Sequence, residues 1–380
     1  MSARSPSPSR PAPRSLPDAA PLRSGLSLQA AGEFRLESGE VLEDVVQAYR
    51  VEGRLNAARD NLVLLFHSLT GSPSDFGGWE PFVGPGRALD TRRLCVVAPN
   101  LLGSCYGTRY SRRKKGSRRP PAVTTRDMAR LAARLLDRLG VGRAALVAGG
   151  SLGGMVALEL AATLPERAAA AAVFAAPAAP CAWGSGWNHV HREAVKVAGL
   201  RGLALARMVG MLTYRTPGEV EGRFGSAAPD SAAPAAAPAE PSVRGYLTHH
   251  GEKLVRRFSA SSYLALLDAM DSHDVGRGRG GVAAALSAFA GRLTAVGIPG
   301  DLLYPPEVVK GWATATGAEY HELASSHGHD AFLIEPSVGR LLSELASARA
   351  GGPALPRPPR AAYSYRSASI GSRREARRAG

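Results

Sequence analysis

Cysteine is scarce in this 380-residue chain: only Cys95, Cys105 and Cys181 occur. With no C-x-x-C pair and no even-numbered set, the chain is neither a disulfide-stapled secreted scaffold nor a zinc ribbon, and a reducing compartment fits it best. A long apolar run is missing as well. The longest uncharged stretch, Ala168 to His191, is mostly alanine and is interrupted by Pro177, Pro180, Gly184 and Gly186, so no transmembrane helix is expected. Acid is missing from three places. Residues 1–24 carry four Arg against Asp18, residues 109–119 carry seven Lys and Arg with no acid, and residues 351–380 carry seven Arg against Glu375. These segments account for the whole net charge of +15, leaving a nearly neutral body whose function need not involve polyanions. They also lack interleaved aromatics and a folded recognition module, so specific nucleic-acid binding is the weaker reading, kept as an alternative of another class.

What is present is a hydrophobic content of 45%, normal for a packed protein and enough chain for one large domain or two ordinary ones. Residues 1–30 and 351–380 are Ser/Pro/Arg-rich and without apolar periodicity, and read as disordered basic tails. The first could also be an organelle transit peptide, although no amphipathic face stands out. Between the tails, short apolar runs alternate with helical patterns, the signature of a parallel sheet covered on both faces. Strands are expected at Asp44–Val51, Leu62–Phe66, Leu94–Ala98, Ala144–Ala148, Ala169–Ala175, Leu293–Ile298 and Glu319–Leu323. Helices are expected at Thr125–Leu139, Gly153–Leu164 and Ala331–Arg349. Residues 183–285 break the alternation and read as a helical lid inserted between core segments 31–182 and 286–350, with an Ala/Pro-rich loop at 227–241.

The run Ala144-Ala-Leu-Val-Ala148 leads into Gly149-Gly-Ser151-Leu-Gly-Gly154 and then an apolar helix. It fits G-x-S-x-G, in which a serine on a sharp strand-to-helix turn needs small neighbours. A hydroxyl is a poor nucleophile near neutral pH, so Ser151 demands a base and a group to orient it. Asp301 follows the strand Leu293–Ile298, and His329 lies between the last strand and the last long helix. Singly, Asp301 reads as a turn residue or helix cap and His329 as a loop histidine. In the order Ser, Asp, His they form the set expected of an α/β-hydrolase fold. The loop His67-Ser-Leu-Thr-Gly71 after strand Leu62–Phe66 is placed to supply a second oxyanion donor, so the backbone N–H groups of Leu69 and Leu152 are assigned that role. Two H-x-H pairs, His189 with His191 and His327 with His329, lack the further ligands of a closed zinc site, and no metal is assigned.

Beyond these elements, His67 to Gly71, Val83-Gly-Pro-Gly86, Asn100 to Gly107, Thr125-Arg-Asp-Met128, Gly149 to Met155, Ala206-Arg207, Leu212-Thr-Tyr-Arg215, Gly251-Glu-Lys253, Asp274 to Gly280, Asp301 to Pro306 and Gly328 to Leu333 resemble the homoserine O-acetyltransferases of the α/β-hydrolase superfamily, over roughly residues 34–346. The resemblance implies an acyltransferase of methionine biosynthesis in the cytoplasm. It would move an acetyl group from acetyl-CoA, a co-substrate rather than a bound cofactor, to the hydroxyl of L-homoserine through an acyl-serine, with Ser151, Asp301 and His329 as triad. It also implies that Arg207 holds the substrate carboxylate and Asp330 its ammonium; read alone, Arg207 would be a snorkelling helix residue and Asp330 a helix cap. L-serine as acceptor, a succinyl donor, or simple esterase action remain alternatives on the same scaffold, and a homodimer remains open. The basic loop 109–119 is either solvated charge or a contact for the phosphates of coenzyme A.

Overall fold

Runs that are apolar at every position, such as Leu62–Phe66 and Ala170–Phe174, are buried throughout, as strands covered on both faces must be. In a computed structural model, which describes residues 25–112, 121–225 and 242–347, they lie in the middle of a nine-stranded sheet. In chain order the strands are β1 (Ser27–Arg35), β2 (Val41–Glu52), β3 (Leu62–Phe66), β4 (Val83–Gly84), β5 (Leu89–Asp90), β6 (Cys95–Pro99), β7 (Arg109–Arg112), β8 (Leu146–Gly150), β9 (Ala170–Phe174), β10 (Arg292–Gly297) and β11 (Glu319–Glu322). The sheet order is β1-β2-β6-β3-β8-β9-β10-β11, with β7 beside β2 and the short pair β4-β5 apart from it. Pairing is antiparallel around β2 and parallel from β6 to β11.

The helices are α1 (Thr125–Arg138), α2 (Leu152–Thr163), α3 (Ala182–Thr213), α4 (Pro217–Phe224), α5 (Val243–Val255), α6 (Ala260–Asp271), α7 (Val282–Leu286), α8 (Pro306–Thr316), α9 (Ala331–Ile334) and α10 (Pro336–Ser347). Side-chain alternation along β3 divides the interior in two. Leu62, Leu64 and Phe66 pack in one core with residues of α1, α2 and α8, whereas Val63 and Leu65 pack in the other with Trp79, Phe332 and α10. The chain between β9 and β10 forms α3 to α7, the segment expected to be a helical lid; α3 is broken at Gly199, whose φ is 55°. Among the described residues no helix is long and apolar enough to cross a membrane.

A buried ion-pair network ties the lid's return to the core. Glu159 of α2, 1% exposed, accepts from Arg126 Nε at 3.2 Å and Arg279 Nη1 at 2.9 Å. Glu159→Ala leaves two largely buried guanidinium groups facing a gap. It is expected to cost about 3–5 kcal/mol in a denaturant titration, and a loss under about 1 kcal/mol, the size of a surface pair, would contradict this role.

Several boundaries differ from the sequence expectation, which also starts β2 at Asp44 rather than Val41. The N-terminal tail does not extend to residue 30, because β1 starts at Ser27 and pairs with β2. Its side chains are mostly exposed or half-buried and only Phe34 is buried, so it carries no apolar run. The strand expected at Ala144–Ala148 is displaced to Leu146–Gly150, since Gly149 and Gly150 continue the ladder to Val173 and Phe174 of β9. The helix expected at Ala331–Arg349 is two helices: Pro336 offers no N–H, and Glu335 before it is extended at φ −72°, ψ 125°. Finally, β7 falls at the start of the basic loop, where Arg109–Arg112 pairs with β2. The expectations for residues 1–24, most of the basic loop, the Ala/Pro run 227–241 and the tail 351–380 lie outside the described residues.

Candidate active site

The strand-to-helix turn after β8 forces Ser151 to φ 56°, ψ −126°, a region that costs a non-glycine residue about 1–3 kcal/mol. Two hydrogen bonds hold it there. Ser151 N–H donates to Phe174 O at 2.9 Å and Ser151 O accepts from Met155 N–H at 3.0 Å, so the strand ladder and the first helical turn meet on one residue. The flanking glycines are required by space: a Cβ on Gly149 would fall 2.2 Å from Gly153 O, and one on Gly153 would fall 2.4 Å from Phe66 O. The result is a nearly buried hydroxyl, 4% exposed as a residue, at the N-terminus of α2, where unpaired N–H groups favour negative charge.

Asp301, four residues past the end of β10, is saturated with donors. Its Oδ1 accepts from the N–H groups of Leu303 at 2.7 Å and Tyr304 at 2.9 Å, and its Oδ2 lies 2.7 Å from His329 Nδ1. A carboxylate can only accept, so the shared proton sits on Nδ1 and Nε2 of the neutral ring keeps its lone pair, the tautomer a general base needs. Burial works against charging the imidazole. The Asp301 carboxylate, its hydrogen bond and the nearby Asp330 charge together outweigh burial and raise the His329 pKa above the ordinary 6.5. Phe332 links this pair to the turn. Its ring lies 5.8 Å from the His329 imidazole, and a Cβ on Gly150, next to Ser151, would fall 2.3 Å from it.

A base must be deprotonated to act, so activity should rise with pH through a midpoint above 6.5. Asp330→Asn removes one of the charges that raise this pKa and should move the acidic limb to lower pH. The kcat/KM profile of acylation by the thioester alone checks this, because no substrate ammonium takes part; an unmoved limb would contradict it.

The loop expected to carry the second oxyanion donor lies against the turn: Ser68 Oγ donates to Gly150 O at 3.3 Å. Leu69 and Leu152 are buried, and the Leu152 N–H, first in α2, has no carbonyl partner within its helix. Arg207 and Asp330 both reach the His329 region, but not in the same state. Arg207 sits over Tyr214, with Cζ 5.6 Å from the ring centroid, and Tyr214 lies 5.7 Å from the His329 ring. Among the described residues Arg207 makes no ion pair. Asp330 makes no side-chain cap on α9; instead its Oδ2 lies 3.3 Å from Arg215 Nη2. Sequence reasoning assigned no role to Arg215, which also pairs with Glu219 at 3.1 Å, nor to Tyr214 and Tyr304, whose rings flank His329. The only signal for the first two was their place in the segment Leu212–Arg215. Among the described residues no three His, Cys, Asp or Glu side chains gather as they would around a metal ion. His191 of the first H-x-H pair bonds Tyr263 Oη at 3.0 Å through Nδ1.

A family model described as the alpha/beta hydrolase fold matches residues 61–201, which include the Ser151 turn but neither Asp301 nor His329. Solved structures do not separate transfer from hydrolysis. Homoserine O-acetyltransferase from Bacillus anthracis has a TM-score of 0.74 at 20% identity, covering 85% of this chain and 97% of that one. Esterase E22 has a TM-score of 0.72, also at 20% identity, covering 84% and 99%. Sequence does separate them: the homoserine O-acetyltransferase of Thermus thermophilus is 43% identical over 85% of this chain and 91% of its own length. The chain belongs to the homoserine O-acetyltransferase family. A second member, from Symbiobacterium thermophilum, is 42% identical over 82% of this chain and 92% of its own. Family membership makes the chain an acyltransferase on an α/β-hydrolase scaffold, as the resemblance in its ordered segments implied.

Proposed function

We propose that this chain transfers the acetyl group of acetyl-CoA to the hydroxyl of L-homoserine, with Ser151 as nucleophile, His329 as base and Asp301 as its orienting acid. The observation that supports the mechanism most directly is the 2.7 Å bond between Asp301 Oδ2 and His329 Nδ1, which leaves Nε2 as the proton acceptor. His329 takes the Ser151 proton as Oγ attacks the thioester carbon. The Leu69 and Leu152 N–H groups receive the tetrahedral oxyanion. The C–S bond then breaks, the proton passes to the departing thiolate, and the acetyl group stays on Oγ. Homoserine enters with its carboxylate on Arg207 and its ammonium on Asp330, where Arg215 already occupies the Oδ2 side. His329 deprotonates the substrate hydroxyl, which attacks the acyl carbon, and the proton returns to Ser151 as O-acetylhomoserine leaves. Helices α3 to α6 over this end of the sheet restrict water, so that transfer outruns hydrolysis. We place the reaction in the cytoplasm, which the reduced thiols of Cys95, Cys105 and Cys181 suit.

Acetyl-CoA turnover with and without homoserine tests this reading. Thiol release that depends on homoserine, with equimolar O-acetylhomoserine, is expected. Equal thiol release without the amino acid, yielding acetate, would favour an esterase. Parallel assays with L-serine and with succinyl-CoA fix acceptor and donor, and faster turnover of either would overturn the assignment of that substrate.

A further inference from the structure

Beside the site lies a fully buried titratable side chain that the mechanism leaves unused. His67, at the exit of β3, is 0% exposed. Its Nε2 accepts the Leu101 N–H at 3.1 Å. That bond fixes the tautomer: Nε2 holds the lone pair, so Nδ1 carries the proton and donates it to Ser68 O at 2.8 Å. Burial holds the ring below its ordinary pKa of 6.5, so it stays neutral and the two roles do not exchange.

Ser68 O belongs to the peptide unit whose nitrogen is that of Leu69. The unit is planar, and in the trans form its C=O and N–H point in opposite directions. Gripping the oxygen therefore aims the N–H. Ser68 O also accepts from Gly71 N–H at 3.0 Å, so a flip of this peptide would break two hydrogen bonds at once. Two residues on, Thr70 O is held at 2.7 Å by Arg257 Nη1 from the lid. The imidazole itself cannot shift easily, since the loop folds so tightly around its base that a Cβ on Gly77 would fall 2.5 Å from His67 Cβ.

We infer that His67 is a positioning residue of the oxyanion hole, locking the Ser68–Leu69 peptide so that the Leu69 N–H points at the oxygen that gains charge. This rests on the acyl-transfer reading above. A preorganised donor lowers the barrier without tightening the ground state, so losing the lock should act on kcat and spare KM.

Two variants separate the ring's two bonds. His67→Asn keeps a donor near the Nδ1 position for Ser68 O, whereas His67→Gln keeps an acceptor for Leu101 N–H and loses the donor. The Gln variant is expected to lose about 10²-fold in the rate of both acylation and deacylation, with KM for acetyl-CoA and homoserine unchanged, and the Asn variant to stay within about tenfold of wild type. Rates equal to wild type in the Gln variant, equal losses in both variants, or a rise in KM alone would overturn the inference. Imidazole ¹⁵N spectra of wild type supply a test that needs no variant. A neutral His67 protonated on Nδ1 throughout the working pH range is expected, and a proton on Nε2 would overturn the lock. A wild-type chain that transfers no acetyl group would instead refute the acyl-transfer reading, so the two failures are distinguishable.

Discussion

Replacing Ser151 with Ala is expected to lower kcat for acetyl transfer by about 10³- to 10⁶-fold, the range seen when a triad member is removed. The loss is chemical rather than structural. Alanine keeps the Cβ, the φ of 56° and both backbone bonds of the turn, so its melting temperature should match wild type. Ser151→Gly sharpens the point. Glycine relieves the positive-φ strain and should stabilise the fold by about 1 kcal/mol while abolishing turnover. Initial rates of thiol release alongside thermal melts check both variants. Near-normal transfer by Ser151→Ala would remove the nucleophile assignment.

The second large effect is expected for Asp301→Asn, about 10³- to 10⁴-fold in kcat. The reason lies in the other oxygen of this carboxylate. Oδ1 accepts from two backbone N–H groups, Leu303 and Tyr304, so the Asn carbonyl stays on that side and its NH₂ turns toward His329. Facing a donor, Nδ1 must accept, the ring proton moves to Nε2, and the base is presented in the wrong tautomer. Loss of the carboxylate also lowers the His329 pKa, so the residual activity should persist to lower pH than in wild type. A pH profile of kcat for the variant measures both consequences, and a loss below tenfold would contradict an orienting role for Asp301.

The Ser151 turn is legible from sequence because its demands are local: an apolar strand, glycines where backbones touch, and a helix following at once. Asp301 and His329 are legible because strand exits mark the functional edge of such sheets. Long-range contacts are another matter. Nothing near Asp330 announces Arg215 as its partner, and nothing around Glu159 announces that Arg126 and Arg279 converge on it. His67 looks like an ordinary strand exit until the Leu101 N–H is seen on its Nε2. The first strand is opaque for a different reason: exposed on most positions, it carries no apolar pattern and owes its place to pairing with β2.

The central claim is that the acetyl group rests on Ser151 between donor and acceptor. Intact-mass analysis and peptide mapping of the protein after brief exposure to acetyl-CoA alone test it most directly. One acetyl group on the peptide containing Ser151, discharged as O-acetylhomoserine when homoserine is added, is the predicted result. Acetyl transfer to homoserine that proceeds with no acetyl-enzyme at any time, or with the label on a different residue, would contradict it.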